Sequence, residues 1–152
     1  MNDIEMMRVA LEAARNAIAS GDIPVGAAIF NSKGEVVSIG HNERELHQDP
    51  TAHAEIVAIR RAAEKLGDWH LTNHTLVVTL EPCAMCAGAI AQSRLQTVVF
   101  GAWDEKAGAV GSMWDLLRDP RSTFRTEVRA GILAEECGEL IKSFIQEVRT
   151  KD

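Results

Sequence analysis

Two of the chain's three cysteines fall in Leu80-Glu81-Pro82-Cys83-Ala84-Met85-Cys86, three residues apart. Pro82 suits the first turn of a helix, so both thiols are expected within that turn, where residues i and i+3 are neighbours. The positive end of a helix dipole favours thiolate, the form that binds metal. Two thiolates leave a zinc ion under-coordinated, so a third protein ligand is expected. The candidate is His53, in Asp49-Pro50-Thr51-Ala52-His53-Ala54-Glu55, at another expected helix start. Residues i and i+2 do not share a helix face, yet both can address one small site if the helix meets it end-on. His53 would then bind through a ring nitrogen, while Glu55 would stay off the metal and handle protons. A fourth position left to water marks a catalytic rather than a structural zinc site.

Plainer readings exist for each part. A lone Cys-x-x-Cys also suits a thioredoxin-like redox pair, although that motif usually has an aromatic residue where Pro82 stands. A lone His at a helix start is commonly a cap or a satisfied polar group. The conjunction is more specific: His-x-Glu together with Pro-Cys-x-x-Cys should arise by chance in roughly one chain in ten thousand or fewer. Cys137 reads as a small buried hydrophobe on an amphipathic helix. His41, His47, His70 and His74 lack partner spacing and read as surface or loop residues.

Elements must bring these residues together. Ile4, Met7, Leu11, Ala14 and Ile18 define one face of a helix that Gly21 ends. Residues 25–30 and 36–40, joined by Asn31-Ser32-Lys33-Gly34, read as a β-hairpin. Asp49-Pro50-Thr51 opens a second helix, with Ile56, Ile59, Ala63 and Leu66 inward and Gly67 as its stop. Residues 75–80 form a buried strand, 83–93 a helix and 97–101 another strand. Residues 112–117 suggest a short helix and 126–129 a last strand. Cys137, Leu140, Ile141, Phe144, Ile145 and Val148 mark a C-terminal helix. Strands alternating with helices predict a mostly parallel sheet, covered on both faces, with one antiparallel hairpin.

The 152 residues fit one domain, 1–152, and at 46% hydrophobic and 25% charged they suit a globular protein. No apolar run reaches the ~18 residues of a membrane span. The acidic N-terminal residues do not resemble a secretory signal. Three cysteines argue against a disulfide framework and for a reducing compartment, so cytoplasm is expected. A net charge of −6 excludes binding of polyanions by bulk charge, so a nucleic-acid partner would need a local patch. Arg118, Arg121, Arg125 and Arg129 are one candidate, with a solvated edge as the plain alternative; Arg60, Arg61 and Lys65 are similarly open.

The zinc motifs are the known signature of nucleobase deaminases. The segments DPTAHAEIVAIRRAAEKLG and VTLEPCAMCAGAI resemble the cytidine-deaminase superfamily. IPVGA (residues 23–27), VVFGAWDEKAGAVGS (98–112) and GILAEEC (131–137) resemble more narrowly its bacterial tRNA-specific adenosine deaminases. The resemblance implies a three-layer α/β/α cytidine-deaminase-like fold with a mixed five-stranded sheet. It implies a homodimer with one Zn2+ per subunit, and a tRNA anticodon stem-loop whose wobble adenosine becomes inosine. By motif, His53, Cys83 and Cys86 would hold zinc, which makes hydroxide available at neutral pH for attack at adenine C6. Glu55 would move protons to N1 and to the departing amine. Asn42, Val25, Ala54, Asp104, Lys106 and Phe144 would contact the substrate. Turn capping by Asn42, surface charge at Asp104 and Lys106, and core packing of Val25 and Phe144 are their plain alternatives. Many relatives carry a lysine-rich tail where this chain has Arg149-Thr150-Lys151-Asp152, and two adjacent aromatics where it has Phe144-Ile145.

A deaminase of free guanine or cytosine would carry the same zinc motifs and ignore tRNA. A non-catalytic, zinc-stapled interaction module would not need Glu55 and would close the metal's fourth position with protein.

Overall fold

The computed structural model describes residues 1–151, the last through its backbone alone. Asp152, the final residue of the expected domain, lies outside them. Asn2 caps α1 (Asp3–Arg15) by accepting the Glu5 amide at 2.8 Å, and Asp3 and Glu5 sit at the helix's positive end. A 3-10 turn (Asn16–Ser20) follows. Then come β1 (Gly26–Phe30), β2 (Val36–His41), α2 (Arg44–His47), α3 (Ala54–Leu66), β3 (Thr75–Leu80), α4 (Ala84–Gln92), β4 (Thr97–Ala102), β5 (Glu127–Arg129) and α5 (Ala134–Lys151).

The strands form one sheet in the order β2-β1-β3-β4-β5. The sheet is mixed rather than mostly parallel: β1 runs antiparallel to both β2 and β3, while β3, β4 and β5 are parallel. The alternation of strand and helix reported the direction of β2-α3-β3 correctly, since those two strands point the same way. It could not show that β1 lies between them. Hydrogen-bonded on both sides, β1 is buried at every position.

Side-chain alternation along the strands sorts the core into two layers. Ala27, Ile29, Leu76, Val78, Val98 and Phe100 face α3 and α4. Ala28, Phe30, Val77 and Val99 face Met6, Met7, Ala10 and Leu11 of α1 and Cys137 of α5. The result is an α/β/α sandwich.

Three local expectations change. The second helix begins at Ala54, not Asp49, because Asp49 turns the chain beforehand by accepting the Thr51 amide at 2.9 Å and hydroxyl at 2.7 Å. Its buried face is Ala54, Val57, Ala58 and Ala62; of the expected inward residues Ile59 packs partly buried against that core, while Leu66 is 43% exposed. Close approach explains the small residues: a Cβ on Gly40 of β2 would stand 2.7 Å from the Ala54 carbonyl. Ile4 on α1 and Ile18 in the 3-10 turn that follows it likewise stay outside the buried stripe. Finally, residues 112–117 form no helix, since their backbone is engaged in a bridge between Val110 and Asp115 and in bonds back to residues 108 and 109.

Candidate active site

His53 and Cys83 are the N-cap residues of α3 and α4. Each gives its carbonyl to the first helical bond, from Val57 and Ala87 respectively, and neither side chain caps its own helix. Both side chains are therefore available to the space where the two helix tips meet. His53 Nδ1 lies 3.6 Å from Cys83 Sγ and 3.5 Å from Cys86 Sγ. All three donor atoms fall within 4.8 Å of one another. A tetrahedral zinc with bonds of about 2.3 Å to sulfur and 2.0–2.1 Å to nitrogen sets each N···S pair about 3.6 Å apart, so the donor set fits that ion. Among the described residues, no other cluster of His, Cys, Asp and Glu fits a metal.

Glu55, in the first turn of α3, is 4% exposed. Burial pushes its carboxyl up to about 7, opposed by its own backbone amide and by His53. Cys83 is drawn down to about 3, first by a hydrogen bond from Cys86 and then by His53, whereas Cys86 is pushed up by Cys83 and by burial. The thiol pair thus gives up its first proton readily, and a divalent cation takes both sulfurs as thiolates.

A cavity of about 230 Å³ opens on this centre. It is lined by His53, Ala54, Glu55 and Cys83, with Val25, Asn42 and Asp104 around them. Asn42 is 8% exposed; its amide nitrogen donates to the Ile23 carbonyl at 3.2 Å, and its oxygen accepts the Arg44 amide at 3.2 Å. One N–H and one lone pair of that amide remain for a ligand. Asp104 closes a turn by accepting the amides of Lys106 and Ala107, each at 3.2 Å. Lys106 lines an adjoining groove of about 790 Å³ that shares Ile23, Leu80, Asp104 and Ala107 with the cavity. Phe144 is half-buried and lines neither; Ile141 and Ile145 face the groove from α5 instead.

Sequence reasoning missed Ile23, Arg44, Leu80, Glu81 and Ala107 as pocket residues. Arg44 stands two residues past Asn42 in an unforeseen helix. The tip of that helix is capped from afar by Asp22, which accepts the Glu45 amide at 2.7 Å and the Leu46 amide at 3.2 Å. No local pattern announces such a cap.

The arginine cluster is not a free basic patch. Arg118 pairs with Asp115 and Arg121 with Asp119. Arg129 grips Asp3 through two bonds of 2.7 and 3.1 Å, and also pairs with Glu127. Only Arg125 of the four has no carboxylate partner among the described residues. On α3, Arg61 is taken by Glu43 at 2.9 Å and Arg60 by Asp49 at 3.7 Å.

A three-layer fold with two helix tips around a His–Cys–Cys set, and a buried glutamate beside it, defines a zinc-dependent deaminase. The family model for the cytidine and deoxycytidylate deaminase zinc-binding region matches residues 1–102. A tRNA-specific adenosine deaminase of Haemophilus influenzae is 47% identical over 147 residues, covering 97% of this chain and 85% of that one. A solved tRNA:A34 deaminase superposes with a TM-score of 0.85 at 38% identity, over 90% of this chain and 98% of the other. The guanine deaminase of Nitrosomonas europaea superposes with a TM-score of 0.78 at 27% identity, over 93% and 83%. The chain belongs to the cytidine and deoxycytidylate deaminase family, in its branch of tRNA-specific adenosine deaminases.

Proposed function

We propose that the protein is a zinc-dependent hydrolase that converts the wobble adenosine, position 34 of a tRNA anticodon loop, to inosine and releases ammonia. The observation that carries this reading is the convergence of His53, Cys83 and Cys86 beside a buried Glu55 at the floor of a one-base cavity. Sites for drug-sized ligands run to ~300–1,000 Å³, so this cavity accepts a single extruded base and leaves the polymer outside. An anticodon loop offers such a base cheaply, because it is single-stranded.

His53, Cys83 and Cys86 would hold the zinc, which when bound acts as a Lewis acid and supplies hydroxide at neutral pH. Glu55, kept off the metal and shielded from solvent, takes the proton from the attacking water. It delivers that proton to ring N1 and assists departure of the amine. The remaining amide valences of Asn42 pair with the edge of the base, while Val25, Ala54 and Asp104 enclose it. Lys106, Lys142 and Arg149 line the groove that continues from the cavity and carry no ion pair among the described residues. They supply the phosphate contacts that the paired arginines do not, and half-exposed Trp103 offers a stacking face there.

The same proposal places one deaminase domain over residues 1–152, working as a homodimer in the cytoplasm. Met85, Met113, Trp114 and Leu116 are each at least 38% exposed close to the cysteine-bearing helix, a surface that a second copy would cover. Its three cysteines are free, which suits a reducing compartment. No helix among the described residues is long and apolar enough to cross a membrane.

Similarity to a guanine deaminase favours one second reading, deamination of a free base. The test is to incubate the zinc-loaded protein with an adenosine-34 anticodon stem-loop and with free guanine, cytosine and adenosine, measuring ammonia. Release from the stem-loop alone supports the proposal; release from a free base alone overturns it.

A further inference from the structure

Glu81 takes no part in the chemistry above, yet it is 2% exposed at the end of β3, two residues before Cys83. Its carboxylate accepts the amides of Asp104, Val110 and Ser112, each at 3.0 Å, and the Ser112 hydroxyl as well. A methyl group on Gly108 would overlap this carboxylate, so Gly108 is the seat on which it rests. Main-chain bonds tie the same segments together: Glu81 to the Ala102 carbonyl at 2.8 Å, and Ala109 to the Pro82 carbonyl at 2.8 Å. Cys83 and Gly108 form an isolated bridge. Segment 104–112 is thus wrapped around one side chain. It brings Asp104 and Ala107 to the cavity and Lys106 to the groove.

The chemistry requires a carboxylate. Four donors converge on two oxygens, and an ionised carboxylate is acceptor-only. A glutamine of the same shape would turn an NH2 group toward some of those donors.

We propose that Glu81 is a positioning residue, holding the 104–112 wall of the base pocket in register with the strand end that delivers Cys83. The claim rests on the deaminase reading for its effect on substrate. It acts through Asp104 and Ala107 rather than on the reacting atoms. Losing it should weaken substrate and transition-state binding alike, a rise in KM rather than a fall in kcat.

The experiment compares the wild-type protein with Glu81→Gln, Glu81→Ala, Gly108→Ala and Glu81→Ala/Gly108→Ala. The readouts are zinc content, amide hydrogen exchange and steady-state kinetics on the adenosine-34 stem-loop. Glu81→Gln should keep its zinc, exchange the amides of Asp104, Val110 and Ser112 about tenfold faster or more, and raise KM about tenfold, with kcat changed less. Gly108→Ala should do the same. It should add nothing in the Glu81→Ala background, where the clash is gone, because coupled neighbours are not additive. Unchanged exchange, additive double-variant effects, a kcat loss without a KM rise, or zinc loss in step with activity would each overturn the proposal. If Glu81→Ala does not fold, Ser112→Ala removes one donor alone and should show the same local exchange at smaller amplitude; no change there counts against it. A wild-type protein inactive on RNA would refute the substrate assignment, while the exchange and double-variant data would still decide whether Glu81 is the clamp.

Discussion

His53 Nδ1 and Cys83 Sγ lie 3.6 Å apart, although thirty residues separate them and each caps a different helix. The helices are aimed, tip to tip, so that two cap positions become two metal ligands. Anions and lone-pair donors are favoured there by both dipoles.

Replacing Glu55 by Ala should leave zinc stoichiometry unchanged, since its carboxylate is not in the donor set. Turnover should fall by about 10²–10⁴-fold, the usual contribution of general acid–base catalysis. Metal analysis beside an inosine assay checks this; near wild-type turnover would remove Glu55 from its role.

Chelation of the zinc should expose half-buried Cys83, whose thiol is drawn down, to alkylation, while buried Cys86 and Cys137 stay silent. Cys137 is 1% exposed, and burial, with Glu136 nearby, pushes its thiol up to about 11. A raised pKa means that the unreactive thiol form persists through pH 7–9. Mass spectrometry should count one modified cysteine after chelation and three only after unfolding.

Asp49 titrates below its ordinary value because the Thr51 hydroxyl and amide donate to it. A depressed carboxyl stabilises the fold above its unfolded pKa and ceases to do so as the pH falls through the folded one. The turn before His53 should therefore hold at neutral pH and loosen below about pH 3.8. Asp49→Asn should flatten this acid limb in thermal melts taken across pH 2–6; an unchanged limb would show that the turn does not depend on the charge.

Neutralising Lys106 or Lys142 should weaken stem-loop binding and lower the slope of log K against log salt by about 0.7 each. Arg121→Ala should leave that slope alone, since Asp119 already holds the arginine. Titrations at several salt concentrations separate the two outcomes.

Exchanging Arg129 for Met should cost about 1 kcal/mol or less of stability and none of the activity. The bond to Asp3 is bidentate but partly solvated, and such surface pairs are weak. Denaturant melts with a parallel inosine assay check this.

The donor types and their spacing were legible in the sequence, because His-x-Glu and Cys-x-x-Cys are local patterns. The helix starts were not, since α3 begins at Ala54 rather than Asp49 and Pro82 precedes α4, with Cys83 its extended N-cap. The strands were legible, because their apolar runs are short and bounded by turns. The placement of β1 between β2 and β3 was not, since pairing partners are chosen over long distances. Nor was the face of α3, where large apolar residues in the sequence drew attention from the alanines that meet Gly40. The arginines looked like a patch because their neutralising carboxylates either read as separate surface charges or, like Asp3, lie far away in the chain. Glu81 looked like an ordinary charge before a metal motif. Only the fold brings three amides and a hydroxyl to its buried carboxylate, because those donors come from a segment that begins more than twenty residues later.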